Sequence, residues 1–96
     1  MHAIVARSTF RDPGRIDEVL QRAQAEFFPI LHASPGLVDF YLIREQDGLT
    51  AALFFESPAD ADDFFGRAAS WRQVLAVYST SGGAGRGDVI EHVTRR

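Results

Sequence analysis

The residues best suited to acid–base chemistry near neutral pH are three histidines, His2, His32 and His92. They are dispersed, and no H-x-x-x-H or similar spacing joins them, so no metal site is expected. His32 falls near a helix exit and reads as a capping or surface residue. His92 alternates with Ile90 and could point into an apolar interior as a single acid–base group. Asp60, Asp62 and Asp63 are close together, but in the first turn of a helix, where carboxylates offset the macrodipole. No G-x-S-x-G elbow and no evident Ser-His-Asp set accompanies the serines. There is no cysteine, which removes disulfides, thiolate ligands and cysteine nucleophiles. Gly82 to Gly87 looks superficially like a nucleotide loop. Such loops follow a strand and open a helix, so that backbone amides cradle phosphate. Here the stretch follows a helix and enters a strand, and it reads as a flexible connection. The embedded Arg86-Gly87-Asp88 carries no adhesion reading in a chain without an export signal.

The aromatic residues are more informative. Phe40, Tyr41, Phe54, Phe55, Phe64, Phe65, Trp71 and Tyr78 fall on two elements only. Most of them must be core. Trp71 and Tyr78, however, carry polar handles, and with Arg7 and Arg44 they could line a cavity suited to a small, flat, lipophilic molecule.

The elements that must position these groups follow from apolar spacing. Leu37 to Ile43 and Leu49 to Phe55 flank Asp47-Gly48, a dipeptide suited to a type I′ turn, so a β-hairpin is expected. A two-residue turn there sets Arg44 opposite Ala51, Leu42 opposite Leu53, Phe40 opposite Phe55 and Tyr41 opposite Phe54. It would also oppose Asp39 to Glu56, a repulsive pair that a bulge, an end to the pairing or a nearby cation could relieve. His2 to Phe10 reads as a first strand. A helix follows, started by Asp12-Pro13-Gly14, with Ile16, Val19, Leu20, Ala23 and Phe27 on one face until Pro29 kinks or ends it. Ser57-Pro58-Ala59-Asp60 starts a second helix, with Ala61, Phe64, Phe65, Ala68, Trp71 or Arg72, and Leu75 running on to about Tyr78. Ser79 to Gly87 reads as loop and Asp88 to Thr94 as the fourth strand.

The order β-α-β-β-α-β defines an α+β, ferredoxin-like plan in one domain spanning residues 1–96: a four-stranded antiparallel sheet with two helices on one face. Both faces of the hairpin are apolar, while two helices can cover only one. The economical cover for the other is a second copy, a homodimer stacked sheet to sheet as an α+β barrel. Net charge is −3 and the only basic cluster is terminal, so nucleic acid is not an expected partner. No apolar stretch approaches the ~20 residues of a membrane span and there is no signal-peptide layout, so no membrane is expected and the cytoplasm is the expected location.

The segment from Pro35 to Phe65, PGLVDFYLIREQDGLTAALFFESPADADDFF, resembles the core of the antibiotic biosynthesis monooxygenase-like family of the dimeric α+β barrel superfamily. The Pro-Gly strand start, the Asp-Gly hairpin and the Phe-Glu-Ser lead into a helix carry the likeness. It implies a cofactor-independent monooxygenase, or related isomerase, acting on a small aromatic or polyketide-like substrate, with no cofactor. The alternative is a non-catalytic dimer that binds a small lipophilic metabolite. The family's quinol monooxygenases use an asparagine and a tryptophan on the third strand, at places occupied here by Ala51 and Phe55. Its haem-degrading members use a first-strand asparagine, which this asparagine-free chain lacks, and a helix tryptophan near Phe64. The resemblance puts the pocket on the sheet face that bears Phe55. Phe40, Leu42, Phe55, Phe65, Trp71 and Tyr78 are the expected walls, with His92 a further candidate. Arg44 would hold an anionic or phenolate oxygen at the mouth. The bland alternative is a solid aromatic core with Arg44 snorkelling to water.

Overall fold

The computed structural model describes residues 1–93. Strand β1 (His2–Phe10) leads through a 3₁₀ turn (Pro13–Arg15) into α1 (Ile16–Glu26) and α2 (Phe28–His32). The hairpin β2 (Leu37–Arg44) and β3 (Gly48–Phe55) precedes α3 (Pro58–Arg67), α4 (Ala69–Tyr78) and β4 (Ser79–Asp88). The strands form one antiparallel sheet in the order β2-β3-β1-β4, the ferredoxin-like α+β fold expected from the sequence.

Each expected helix is a broken pair. Asp12 caps the first by accepting from the Gly14 amide at 3.0 Å. Pro29 has no N–H to donate, and the chain turns at Phe27 before continuing as α2. Ser57 caps α3 by accepting from the Asp60 amide at 3.2 Å, and the helix is interrupted at Ala68, where α4 takes over. Of the residues expected on the inward faces, Ile16, Val19, Ala23 and Phe27 on one side, and Ala61, Phe64, Ala68, Trp71 and Tyr78 on the other, are buried, Leu20 and Leu75 are partly buried, and Phe65 is exposed.

The hairpin forms in a different register. Arg44 faces Leu49, Leu42 faces Ala51, Tyr41 faces Ala52 and Phe40 faces Leu53, two residues away from the expected pairing. The reversal is made by Gln46-Asp47, closed by the Glu45 amide on the Gly48 carbonyl at 2.9 Å. Gly48 therefore serves β1 rather than a turn. A Cβ on it would lie 1.9 Å from the Ser8 carbonyl oxygen, so only glycine lets the two backbones approach this closely. A shift of two residues preserves which side chains share a face, so the two-sided patterning argument stands. The same shift removes the expected Asp39–Glu56 opposition by setting Asp39 opposite Phe54, and a bulge between Leu37 and Asp39 then brings Leu37 opposite Phe55. Gly36 is the one positive-φ residue among those described (φ 74°), and it turns the chain into β2.

The fourth strand also differs. It is the glycine-rich Ser79–Asp88 stretch, paired with β1 from Phe10↔Ser79 to His2↔Asp88, and not Asp88 to Thr94. The free edge of β1 supplies ladder partners, and that gain outweighs the poor strand propensity of glycine. Val89 to Val93 lies outside the sheet, and Thr94 falls outside the described residues. Arg86 ties this edge down: its Nε donates to His2 Nε2 at 3.2 Å and its Nη1 to Asp62 of α3 at 2.6 Å. Asp88 lies 3.4 Å from His2 Nδ1.

The helices cover one sheet face. On the other, Val5, Tyr41 and Ile43 are each about half exposed in the single chain, with Phe54 stacked edge-on against Tyr41 at 6.2 Å.

Candidate functional site

A cavity of about 100 Å³ lies between the helix-covered sheet face and the α1, α3 and α4 helices. Its floor is built by period-two alternation: Ile4, Ala6 and Ser8 on β1, Leu49, Ala51 and Leu53 on β3, and Leu42 on β2. Its roof comes from Ala23 and Phe27 on α1 and its C-cap, and from Phe64, Phe65, Ala68, Trp71, Arg72 and Leu75. Trp71 stacks on Phe27 with ring centroids 5.3 Å apart and planes 13° apart, making a flat inner wall. On the β4 side only Ala84 reaches the lining. The next inward residue of β4 in the register is Gly82, opposite Ser8. The same glycines that hide this strand in the sequence leave the space beside it unfilled.

Of the expected walls, Leu42, Phe65 and Trp71 lie on this cavity. Phe40 packs edge-on against Phe27 (5.8 Å) and Phe28 (6.2 Å), and lines a second, more open hollow with Leu31, His32 and Leu37. Phe55 is wholly buried against Phe64 at 5.4 Å and fills core rather than wall. Tyr78 stacks on Phe10, and its hydroxyl reaches Arg22 at 3.5 Å, away from the cavity. Hydrogen bonding from that hydroxyl, followed by the Arg15 guanidinium, holds the Glu18 carboxyl below its ordinary range. Arg44 forms an exposed ion pair with Asp17 at 2.6 Å. His92 is on no strand; its Nε2 lies 3.6 Å from Asp39 at the far side of the sheet.

Ser8, Phe27, Arg72 and Ala84 are among the lining residues that sequence reading missed, as are the floor residues of β1 and β3. Ser8 could have been found, since it alternates with Ile4, Ala6 and Phe10. Arg72 lies four residues after Ala68 and seven after Phe65, and the spacing offers it as an alternative to Trp71 on the inward face; the fold places both on the lining. Ala84 gave no signal in a stretch with no apolar pattern.

Ser8 and Arg72 are the polar residues of an otherwise apolar lining, and among the described residues it includes no carboxylate or imidazole. Arg72 donates from Nη1 to the Phe65 carbonyl at 2.5 Å, and its guanidinium carbon stands 3.7 Å above the Phe65 ring. Among the described residues, no group of three His, Asp or Glu side chains is placed to hold a metal ion. Asp60, Asp62 and Asp63 are engaged instead by Ser57, Arg86 and Arg67.

The architecture is found in solved structures across almost the whole chain. SnoaB, a cofactor-independent oxygenase from Streptomyces nogalater, aligns with a TM-score of 0.75 at 17% identity, covering 98% of this chain and 97% of that one. The monooxygenase ActVA-Orf6 of Streptomyces coelicolor, solved with nanaomycin D, aligns at 0.79 with 16% identity, covering 99% and 92%. A dimeric ferredoxin-like protein from an uncultured marine organism aligns at 0.79 with 13% identity, covering 99% and 92%. The chain shares its fold with these structures. No protein-family model matches the sequence, and no curated protein matches it. No helix among the described residues is long and apolar enough to cross a membrane.

Proposed function

We propose that the protein is a cofactor-independent monooxygenase for a small, flat aromatic or polyketide-like molecule bound in this cavity. The observation that carries the reading is the apolar slot beneath the Phe27–Trp71 stack, with one cation at its edge. The shared fold with SnoaB and ActVA-Orf6 supports the reaction class. In such a reaction the substrate itself reduces oxygen. An ionised phenol activates an adjacent CH₂, whose carbanion adds O₂ to give a C–O–OH adduct. Loss of water then leaves C=O. One oxygen atom enters the product and the other leaves as water, and the carbon supplies all four electrons. The chain's part is to orient the ring, exclude water and favour the ionised substrate.

At about 100 Å³ the cavity accepts little more than one ring, whereas cofactor and drug-sized sites run to roughly 300–1,000 Å³. A larger substrate must extend through the mouth or displace Phe65. A second reading, a carrier that binds without turnover, is favoured by the absence of any acid–base group in the lining and by Ala51 and Phe55 at the places of the family's asparagine and tryptophan. Oxygen uptake with a hydroxyanthrone, with a product that carries one more oxygen and two fewer hydrogens than the substrate, tests the first reading. Saturable binding with no oxygen uptake above the spontaneous rate would establish the second.

In the same proposal the working unit is a homodimer joined through the helix-free face. Val5, Tyr41 and Ile43 there are otherwise left in water. Stacking two such sheets should bury more than the ~1,000 Å² that marks a specific interface.

A further inference from the structure

The geometry points to Arg72 as the residue that selects an anionic ligand: a flat ring bearing an ionised oxygen, with the ring under the Phe27–Trp71 stack and the charge on the guanidinium. This assignment rests on the cavity being the ligand site. Arg7, Arg15, Arg22, Arg44, Arg67 and Arg86 each lie within ion-pair distance of a carboxylate. Among the described residues, Arg72 has no such carboxylate. It is held by a neutral carbonyl and an aromatic face, both belonging to Phe65. A guanidinium has five N–H donors, and the Phe65 carbonyl occupies one of them. The remaining fork matches a carboxylate or phenolate, and among the described residues the lining holds no other cation.

Position agrees with this role. Phe65 (39% exposed) and Ala84 are the exposed residues of the lining, so they mark the mouth, and the half-buried Arg72 stands against the Phe65 ring beside it. Phe65 and Arg72 close it from the helix side. On the strand side Ala84 offers only a methyl group, leaving a gap between helix and sheet edge. A ring entering there meets Phe65 first. The Arg72 fork is then left at the rim, where a charged substituent keeps part of its hydration. Arg44, the cation that spacing alone would select, already has Asp17 as its partner and lies off the lining.

The test compares 2-naphthoate with its neutral isostere 2-naphthamide by calorimetry, with Trp71, the only tryptophan, as an optical reporter in the cavity wall. A charge-assisted pair at a partly exposed site should favour the naphthoate by about tenfold. Raising the salt concentration should weaken naphthoate binding and leave naphthamide unchanged. Arg72→Gln should abolish the preference while retaining naphthamide binding; Arg72→Lys should keep part of it, since an ammonium pairs without the fork. Circular dichroism confirms that both variants are folded. Equal binding of the two probes by the unaltered protein, or a preference that survives Arg72→Gln, overturns the anion assignment and leaves the cavity reading standing. Failure of both probes to bind overturns the cavity reading, and this inference with it.

Discussion

Replacing Ala51 by leucine should stabilise the protein and abolish ligand binding. Ala51 is on β3, faces the helices and forms part of the cavity floor. Leucine adds three carbons, worth about 2.4 kcal/mol at ~0.8 kcal/mol per buried methylene. Filling a void of about 100 Å³ gives the same figure at ~24 cal/mol per Å³. Ordering the longer side chain costs roughly 0.5–1 kcal/mol. The net gain is about 1–2 kcal/mol, a rise in Tm of roughly 4–8 °C per kcal/mol for a domain of this size. Urea unfolding followed by Trp71 fluorescence and circular dichroism measures it, with an unchanged m-value required. The sign is decisive. If the space were solid core, the added carbons would overpack it and cost ~1–3 kcal/mol. A destabilised Ala51→Leu variant, or a stabilised one that still binds naphthoate with full affinity, would refute the assignment of the cavity as the ligand site. A stabilising substitution that removes function is the expected signature of a void kept for a ligand.

Gly48→Ala should cost about 2–3 kcal/mol in chemical denaturation, because the 1.9 Å approach to Ser8 must open and take two or three ladder bonds with it at ~1 kcal/mol each; a loss below ~1 kcal/mol would mean that the backbones are not this close. A double substitution of Val5→Asp and Ile43→Lys on the helix-free face should halve the mass seen by light scattering at micromolar concentration; unaltered protein already at monomer mass would show that this face is covered some other way. Glu26 is held below its ordinary carboxyl value chiefly by its hydrogen bond from Arg22. A lowered folded value means that the pair's stabilisation is complete above the unfolded value near 4.5 and is lost as pH falls through the folded one. Glu26→Gln should therefore lose a little stability at neutral pH, little because the pair is exposed, and none once the carboxyl is protonated, so the acid limb flattens slightly; a loss as large in acid as at neutral pH would contradict this.

The sequence determined the parts of the fold that are local or periodic. Ser57-Pro58 and Asp12-Pro13 start helices because caps and first-turn prolines act within four residues. The apolar faces of α1 and α3, and the two-sided hairpin, follow from side-chain period alone. From these came the sheet plan and the helix-free apolar face. Tertiary structure decided what depends on a partner far along the chain. Gly48 reads as a turn residue until β1 is laid beside it, and the register then moves by two. Ser79–Asp88 reads as loop because an exposed edge strand needs no apolar alternation, only the free backbone of β1. The site divides in the same way. Leu42, Phe65 and Trp71 were legible as apolar or aromatic residues on inward faces. The cavity itself is an absence of side chains between β4 and α4, and no residue type announces it. Arg44 and Arg72 are equally charged and similarly spaced from aromatic neighbours. Only the fold shows that Asp17 already neutralises the first, and that no carboxylate among the described residues reaches the second.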